Sequence, residues 1–336
     1  MALSFATFNL KNLQVAGAPT YPNTPPATPA EYARKVEWTA NQLRNLDADV
    51  IGFQELWDPQ ALADVFAHPA LASQHYQLVT NAQTGTINNA LAIRSGIQRL
   101  HTMWVSDFPA DVSLNSKDQQ IKLAVQSFGR AVLRVKITPA PEGSRQPKPI
   151  VVFVAHLKSK RPADVDFARN QSPNPPDKIS MGSAISLIRR AAEAAALRVL
   201  VSNALDAGER VVVIGDLNDS QFAVTTDMLE AGARYRIDPT SRVASSSKWG
   251  LYSIATLQEL RSLRDVYYTY VHEGFRESLD HILVSQHFYD HSNKREWAFK
   301  TARLFNDHLE DKENPKLKKT VSDHGQLKAE FRYKPA

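Results

Sequence analysis

Apolar and polar positions along this chain of 336 residues fall into two periods. Short apolar runs at 3–8 (LSFATF), 50–53 (VIGF), 150–155 (IVVFVA), 211–215 (VVVIG) and 281–285 (HILVS) predict strands. Those at 150–155 and 211–215 are continuous rather than alternating, the pattern of strands buried on both faces. YQLV, NALAIR and IQRLHTMWV between 76 and 105 predict antiparallel hairpins. RAVLRVKI at 130–137 alternates as another strand, and QLKAEF at 326–331 follows HILVS as the last. The helical period appears after a proline-rich loop at 14–29. Thr28, Pro29 and Glu31 form a T-x-x-E capping box with proline in the first turn, and Tyr32, Val36, Leu43 and Leu46 make one buried stripe. Asp58 and Pro59 start a shorter helix, and 180–206 predicts a long one that stops near Gly208. Loops rich in proline fill 139–149 and 161–178, the second long enough to suggest a functional role.

Polar residues stand where these runs end or begin: TFNL at 7–10, FQE at 53–55, AHLKS at 155–159, GDLND at 215–219, SLDH at 278–281 and SDHG at 322–325. Asn9, Glu55, His156 and Asp216 end strands, whereas Asp280 and the Asp323-His324 pair begin theirs. If the last two strands run antiparallel to the others, an end and a beginning share one rim of a sheet. Four carboxylates on one rim raise one another's pKa, a conflict that a hard divalent cation with oxygen ligands relieves. Zinc fits less well, because nitrogen donors are few and sulfur is absent. Two histidines add proton transfer or positive charge beside a phosphate oxygen, so the set suits metal-assisted attack of water on a phosphate ester. Taken singly, each fragment has a plainer reading: Asn9 or Asn218 as a turn residue, Glu55 as a helix cap, His156 as a core histidine. The ordered set decides.

Composition narrows the classes. The chain is 43% hydrophobic and 22% charged, as a globular protein with a large core is, and a site running from residue 9 to 324 implies one domain over 1–336. A net charge of +5 mildly favours a polyanionic partner. Cysteine is absent, which excludes disulfides and thiolate metal sites. No apolar run is long enough to span a bilayer, and the N-terminus enters a strand without a basic and then apolar leader. A cytoplasmic location is expected, with secretion or a periplasmic location left open. The basic segment KENPKLKKT at 312–320 reads as a solvated loop.

In order, TFNLKN, QE, HLKS, GDLND, LDHI and SDHG resemble the endonuclease/exonuclease/phosphatase superfamily, the metal-dependent phosphoesterases related to deoxyribonuclease I. The resemblance implies an α/β (α+β) fold, a four-layer α/β/β/α sandwich of two mainly antiparallel sheets with outer helices. It implies that Asn9, Glu55 and Asp323 bind Mg²⁺, with Mn²⁺ as a substitute. Asp216 would orient or deprotonate the attacking water, Asn218 would hold the scissile phosphate, and His324 would act as acid/base or stabilise the transition state, with Asp280 beside it. His156 matches the deoxyribonuclease I and sphingomyelinase branches, and Arg130 looks like a phosphate-binding arginine before a strand. Asn88 or Asn89 aligns loosely with a polar substrate contact. Lys158, with Lys160 and Arg161, follows the strand of His156 and suits a phosphate backbone. The expected substrate is a nucleic acid, DNA or RNA. The alternative is a lipid or small phosphoester, for which Phe222 and the YYTY run at 267–270 are weak membrane-entry candidates. A non-catalytic binding protein would require loss of key residues, yet all are present. Residues 161–178 and 231–275 match no subfamily pattern.

Overall fold

A computed structural model describes residues 2–117, 120, 122–141, 147–165, 175–231, 247–259, 268–272, 275–309 and 320–335. The basic segment before Thr320 therefore lies outside the described residues, as do 166–174 of the second proline-rich loop and much of 231–275.

Two six-stranded sheets carry the fold. The first runs in the order β13 (Trp297–Phe305), β14 (Gln326–Tyr333), β1 (Ala2–Leu13), β2 (Val50–Leu56), β4 (Asn88–Arg94), β3 (Tyr76–Val79). The second runs β5 (Gln98–Asp107), β6 (Ser127–Thr138), β7 (Ile150–His156), β8 (Arg210–Asp216), β12 (Asp280–Ser285), β9 (Leu251–Ser253). Each sheet holds one parallel pair, β1 with β2 and β7 with β8, and its other pairs are antiparallel. A hairpin of β10 (Tyr270–His272) and β11 (Phe275–Glu277) forms a third, two-stranded sheet, bridged from Tyr270 to His324 just before β14.

The continuous apolar runs follow from this layering. On β7, Val152 and Val154 face the other sheet, packing with Val212, Ile214, Leu3, Phe5 and Val50. Val151 and Phe153 face outward, against Ala194, Leu197 and Val201 of α3 (Pro175–Asp206). On the opposite side Phe8 and Phe53 meet Val36 and Leu43 of α1 (Pro29–Leu46) and Leu62 of α2 (Pro59–Ala67). Each fully buried aliphatic or aromatic side chain contributes roughly 1.5–3 kcal/mol. The result is the four-layer α/β/β/α sandwich, with the two smaller helices α4 (Val224–Glu230) and α5 (Ile254–Glu259) beside the second sheet. At Gly52 the two sheets are in close contact: an added Cβ would lie 2.7 Å from Ile214 Cδ1.

Helix α1 starts as its motif requires: Glu31 N–H donates to Thr28 Oγ1 at 3.2 Å, and Thr28 N–H donates to the Glu31 carboxylate at 2.9 Å. Other boundaries differ from the periodicity. Helix α3 begins at Pro175, five residues before its apolar period, because prolines suit a first turn that lacks N–H partners. Strand β1 continues past Asn9 to Leu13 through a bulge with left-handed Lys11 and Asn12. Strand β13 lies between the two strands read as last. It is an edge strand with exposed Lys300 and a register shift between Phe299 and Thr301, which break its alternation.

Candidate active site

Strand polarity builds the site. Strands β1, β2, β7 and β8 end at one rim, and β12 and β14 begin there because they run antiparallel to β8 and β1. The rim belongs to both sheets rather than to one. Asn9, Glu55 and the 322–324 turn come from the first sheet, and His156, Asp216 and Asp280 from the second. Asp280 is the direct cross-strand partner of Asp216, and His156 is its parallel neighbour.

Three backbone positions aim these side chains. Gly215 has φ 150°, and an added Cβ would sit 1.9 Å from the Ala155 carbonyl oxygen, so only glycine fits before Asp216. Glu55 (φ 60°) and Asn218 (φ 55°) adopt left-handed backbone that costs a non-glycine residue roughly 1–3 kcal/mol. At Glu55 this coincides with a register shift between Phe53 and Leu56, which turns the carboxylate to the rim.

Asp216 is the hub. Its Oδ1 accepts the Asn218 backbone N–H at 2.9 Å, and its Oδ2 accepts the Asn9 amide at 3.0 Å. The same Oδ2 lies 3.6 Å from His156 Nε2 and 3.8 Å from His324 Nε2. His324 Nδ1 meets Asp280 Oδ2 at 2.8 Å. The His324 turn is tied down by Ser322, whose hydroxyl donates to the Asn9 carbonyl (2.7 Å) and accepts the His324 N–H (3.0 Å). Thr269 Oγ1 accepts the Leu279 and Asp280 N–H groups, and the Tyr270 ring lies 5.0 Å from that of His324. These side chains open into a cavity of about 500 Å³ that Glu55, Asp323, Arg130, Lys160 and Arg161 also line.

The charges are sharply differentiated. Burial, followed by the Arg130 and His324 cations, holds His156 well below the usual imidazole range, so it is neutral. Burial also opposes a charge on His324, but Asp280 and Asp216 outweigh it and hold the imidazolium well above that range. Burial pushes Asp216 up to about 7, helped by Asp280 and Glu55 and opposed by His324. Such a carboxyl is poised to accept a proton near neutral pH.

Metal ligation divides into two regions. Ligand atoms of Asp216, Asp280 and His324 lie within 4.8 Å of one another, but the His324 cation already sits between the two carboxylates. Among the described residues Glu55 has no cationic partner of this kind: Oε1 accepts from Asn9 Nδ2 at 3.3 Å and Oε2 from Asn12 N–H at 3.0 Å. Glu55 and Asp323 line the same cavity and offer oxygen donors of the kind a hard divalent ion takes, with Asp323 Oδ2 3.6 Å from Lys11 Nζ. Asn9 presents its amide N–H, not its oxygen, to both carboxylates, because its Oδ1 accepts the Lys11 N–H at 2.9 Å.

The other expected residues separate. Arg130 lies within β6 rather than before it, and donates to the Leu157 carbonyl (3.3 Å) that also accepts from Asn218 Nδ2 (3.0 Å). Lys158 faces a neighbouring cavity instead of the one holding Asp216. Asn88 bonds the carbonyls of Gln83 and Thr86 close by in the chain, whereas Asn89, fully buried, bonds the Ala131 carbonyl and so ties β4 to β6 of the other sheet. In the YYTY run, Tyr268 and Thr269 are buried and Tyr270 joins the site, which removes it as an exposed hairpin; Tyr267 lies outside the described residues. Phe222 is 70% exposed. Ser322, Thr269 and Glu193 went unmarked in the sequence. Only Ser322 carried a signal, its place in SDHG.

The sequence profile of the Endonuclease/Exonuclease/phosphatase family matches residues 6–324. No curated protein matches the chain. Among solved structures, TDP2 of D. rerio complexed with single strand DNA product is 15% identical, covering 98% of this chain and 99% of its own, with a TM-score of 0.55. A truncated TDP2 of Caenorhabditis elegans is 12% identical, covering 98% and 97%, with a TM-score of 0.56. An endonuclease/exonuclease/phosphatase of Bacteroides vulgatus is 14% identical, covering 99% and 100%, with a TM-score of 0.55. At these identities the structures speak to the fold alone. With the profile running from β1 to His324, across both sheets and every rim residue described above, the chain belongs to the endonuclease/exonuclease/phosphatase family.

Proposed function

We propose that this protein is a divalent-metal-dependent phosphodiesterase acting on nucleic-acid backbones, built as one domain. The observation that carries this reading is Asp216, a buried carboxylate within 4 Å of one neutral and one cationic histidine. Asp216 accepts a proton from water aligned behind phosphorus, while the Asn9 amide and the Asn218 N–H fix its orientation. The His324 imidazolium, held by Asp280, stabilises charge that develops on a phosphoryl oxygen. Arg130 and Asn218 share the Leu157 carbonyl, which sets Arg130 at the cavity edge to receive the scissile phosphate. Glu55 and Asp323 would hold Mg²⁺ or Mn²⁺, with Asn9 aligning Glu55. When bound, the ion polarises a phosphoryl oxygen and carries charge of the leaving oxygen.

Arg130 and Arg161 at the cavity wall favour a phosphate backbone, while Lys160 beside them is ion-paired with Glu277, and a relative of the same fold is complexed with single strand DNA product. A lipid substrate is the second reading. It draws on the apolar residues Met181, Ile185, Leu187 and Ile188, exposed on α3. The test is hydrolysis of plasmid, single-stranded DNA, RNA, sphingomyelin vesicles and bis-p-nitrophenyl phosphate with Mg²⁺, Mn²⁺ or EDTA. Metal-dependent cutting of nucleic acid and of the small diester is expected. Turnover that persists in EDTA refutes the metal role, and turnover of sphingomyelin alone refutes the nucleic-acid reading.

A further inference from the structure

Next to the catalytic cavity lies a second one of about 350 Å³. The two share Tyr21 and Arg130. Lys158, Arg189 and Trp57 line this second, open cavity together with residues 85–87.

Its charge is unbalanced. Among the described residues, Glu193 is the carboxylate that faces the three cations, ion-paired with Arg189 (3.2 Å) and also accepting the Gly129 and Lys158 backbone N–H groups. Among the described residues the Lys158 ammonium meets neutral oxygens, those of Ser159 and the Arg161 carbonyl. Among them Arg130 likewise donates to the Leu157 carbonyl alone. Burial, and then Arg130, lowers the Lys158 pKa, as expected of a cation held among cations. Beside them Tyr21, 40% exposed, stands edge-on to Trp57 with ring centroids 5.2 Å apart, and offers a face on which a base can stack.

We propose that this second cavity is a subsite for the phosphate next to the scissile one on a single nucleic-acid strand. Arg130 bridges the two phosphates, Lys158 and Arg189 hold the outer one, and Tyr21 stacks on the intervening nucleoside. The inference rests on the phosphodiesterase reading and narrows its substrate to a chain with at least two phosphates. A phospholipid brings one phosphodiester and needs apolar walls for its tails. Of the nine residues lining this cavity, Tyr21, Trp57 and Ile87 are large aromatic or apolar ones, and Arg130, Lys158 and Arg189 are cations.

The test compares a dinucleotide with one phosphodiester, a trinucleotide with two, and trinucleotides in which either phosphodiester is a neutral methylphosphonate, in both the thymidine and uridine series. With wild-type protein, kcat/KM is expected to be roughly tenfold higher for the trinucleotide than for the dinucleotide. The analogue whose neutral link falls outside the cleaved bond should return to the dinucleotide value. In the double variant K158Q/R189Q the ratio between the two substrates should fall toward one. A dinucleotide cleaved as well as the trinucleotide, or an inert methylphosphonate, overturns the subsite while leaving the phosphodiesterase reading intact. Fluorescence anisotropy of a labelled oligonucleotide in EDTA gives a readout without turnover. There K158Q/R189Q should weaken binding about tenfold and reduce the log–log salt slope by on the order of one. Unchanged affinity, or displacement by phosphatidylserine vesicles but not by unlabelled oligonucleotide, also overturns it. If nothing is hydrolysed but binding behaves as stated, the phosphodiesterase reading fails and the subsite stands.

Discussion

Glu193, buried in an alanine-rich stretch of α3, joins the fold to the site, and its replacement by glutamine isolates that link. Oε1 accepts the Gly129 N–H at 2.9 Å and Arg189 Nε at 3.2 Å, and Oε2 accepts the Lys158 N–H at 2.7 Å. The carboxylate therefore clamps the residue before Arg130 to the loop after His156. Glutamine keeps the volume but has one oxygen. Its NH₂ must face either the Gly129 or the Lys158 N–H, leaving one buried donor unsatisfied at about 1–3 kcal/mol. The remaining bonds also lose charge assistance, so the total expected is about 2–4 kcal/mol. Equilibrium urea denaturation followed by circular dichroism should show a lower midpoint with an unchanged m-value. Because the clamp sets the spacing of Arg130 and Lys158, KM for an oligonucleotide should rise more than kcat falls. Stability within about 0.5 kcal/mol of wild type, a range typical of surface substitutions, would refute the clamp.

Three further outcomes follow from the geometry. Asp216→Ala and His324→Ala should each reduce kcat on bis-p-nitrophenyl phosphate by at least about 10³-fold with native circular dichroism, since each removes a member of one buried network; near-normal turnover in either sinks the assignment. Gly215→Ala should lower both Tm and activity, because its Cβ meets the Ala155 carbonyl and a φ of 150° suits no other residue; an unshifted Tm contradicts this. His287 is held neutral down to about 4 by burial and then Arg210, with Lys294 and Lys148 also opposing its charge and Glu296 favouring it. The unfolded chain takes up that proton near 6.5 and the folded one does not, so stability is fully present above about pH 6.5 and falls by up to about 3 kcal/mol toward pH 4. Urea midpoints of His287→Asn should be flatter than wild type across that window, and parallel curves would rule the linkage out.

The strands that build the site were legible because their burial is extreme. Both faces of β7 and β8 meet apolar layers, so their sequences are unbroken and their polar ends stand out. The capping box of α1 was legible for a local reason, since both of its bonds lie within four residues. What stayed hidden depends on partners remote in sequence. Glu193 reads in the sequence as an ordinary i,i+4 pair with Arg189, and its role comes from backbone groups 64 and 35 residues away. Thr269 acts through the N–H groups of Leu279 and Asp280, which a threonine in an aromatic run does not announce. Asn9 was recognised as a site residue, yet which end of its amide faces Glu55 is decided by the Lys11 N–H, a product of the bulge rather than of the motif. The division of the rim between two sheets is likewise a matter of pairing, which strand patterns alone leave open.

The contact at Gly52 gives that division a mechanical meaning. Glu55 lies three residues beyond Gly52, and Asp216 two beyond Ile214, the side chain that fills the place of the missing Cβ. The gap between Glu55 on one sheet and Asp216 on the other is therefore gauged by a steric stop on the strands that carry them. Interiors packed to this density resist compression. The two walls of the site thus behave as jaws set at a fixed opening, and a substrate must be accepted at that gauge rather than gripped by their closing.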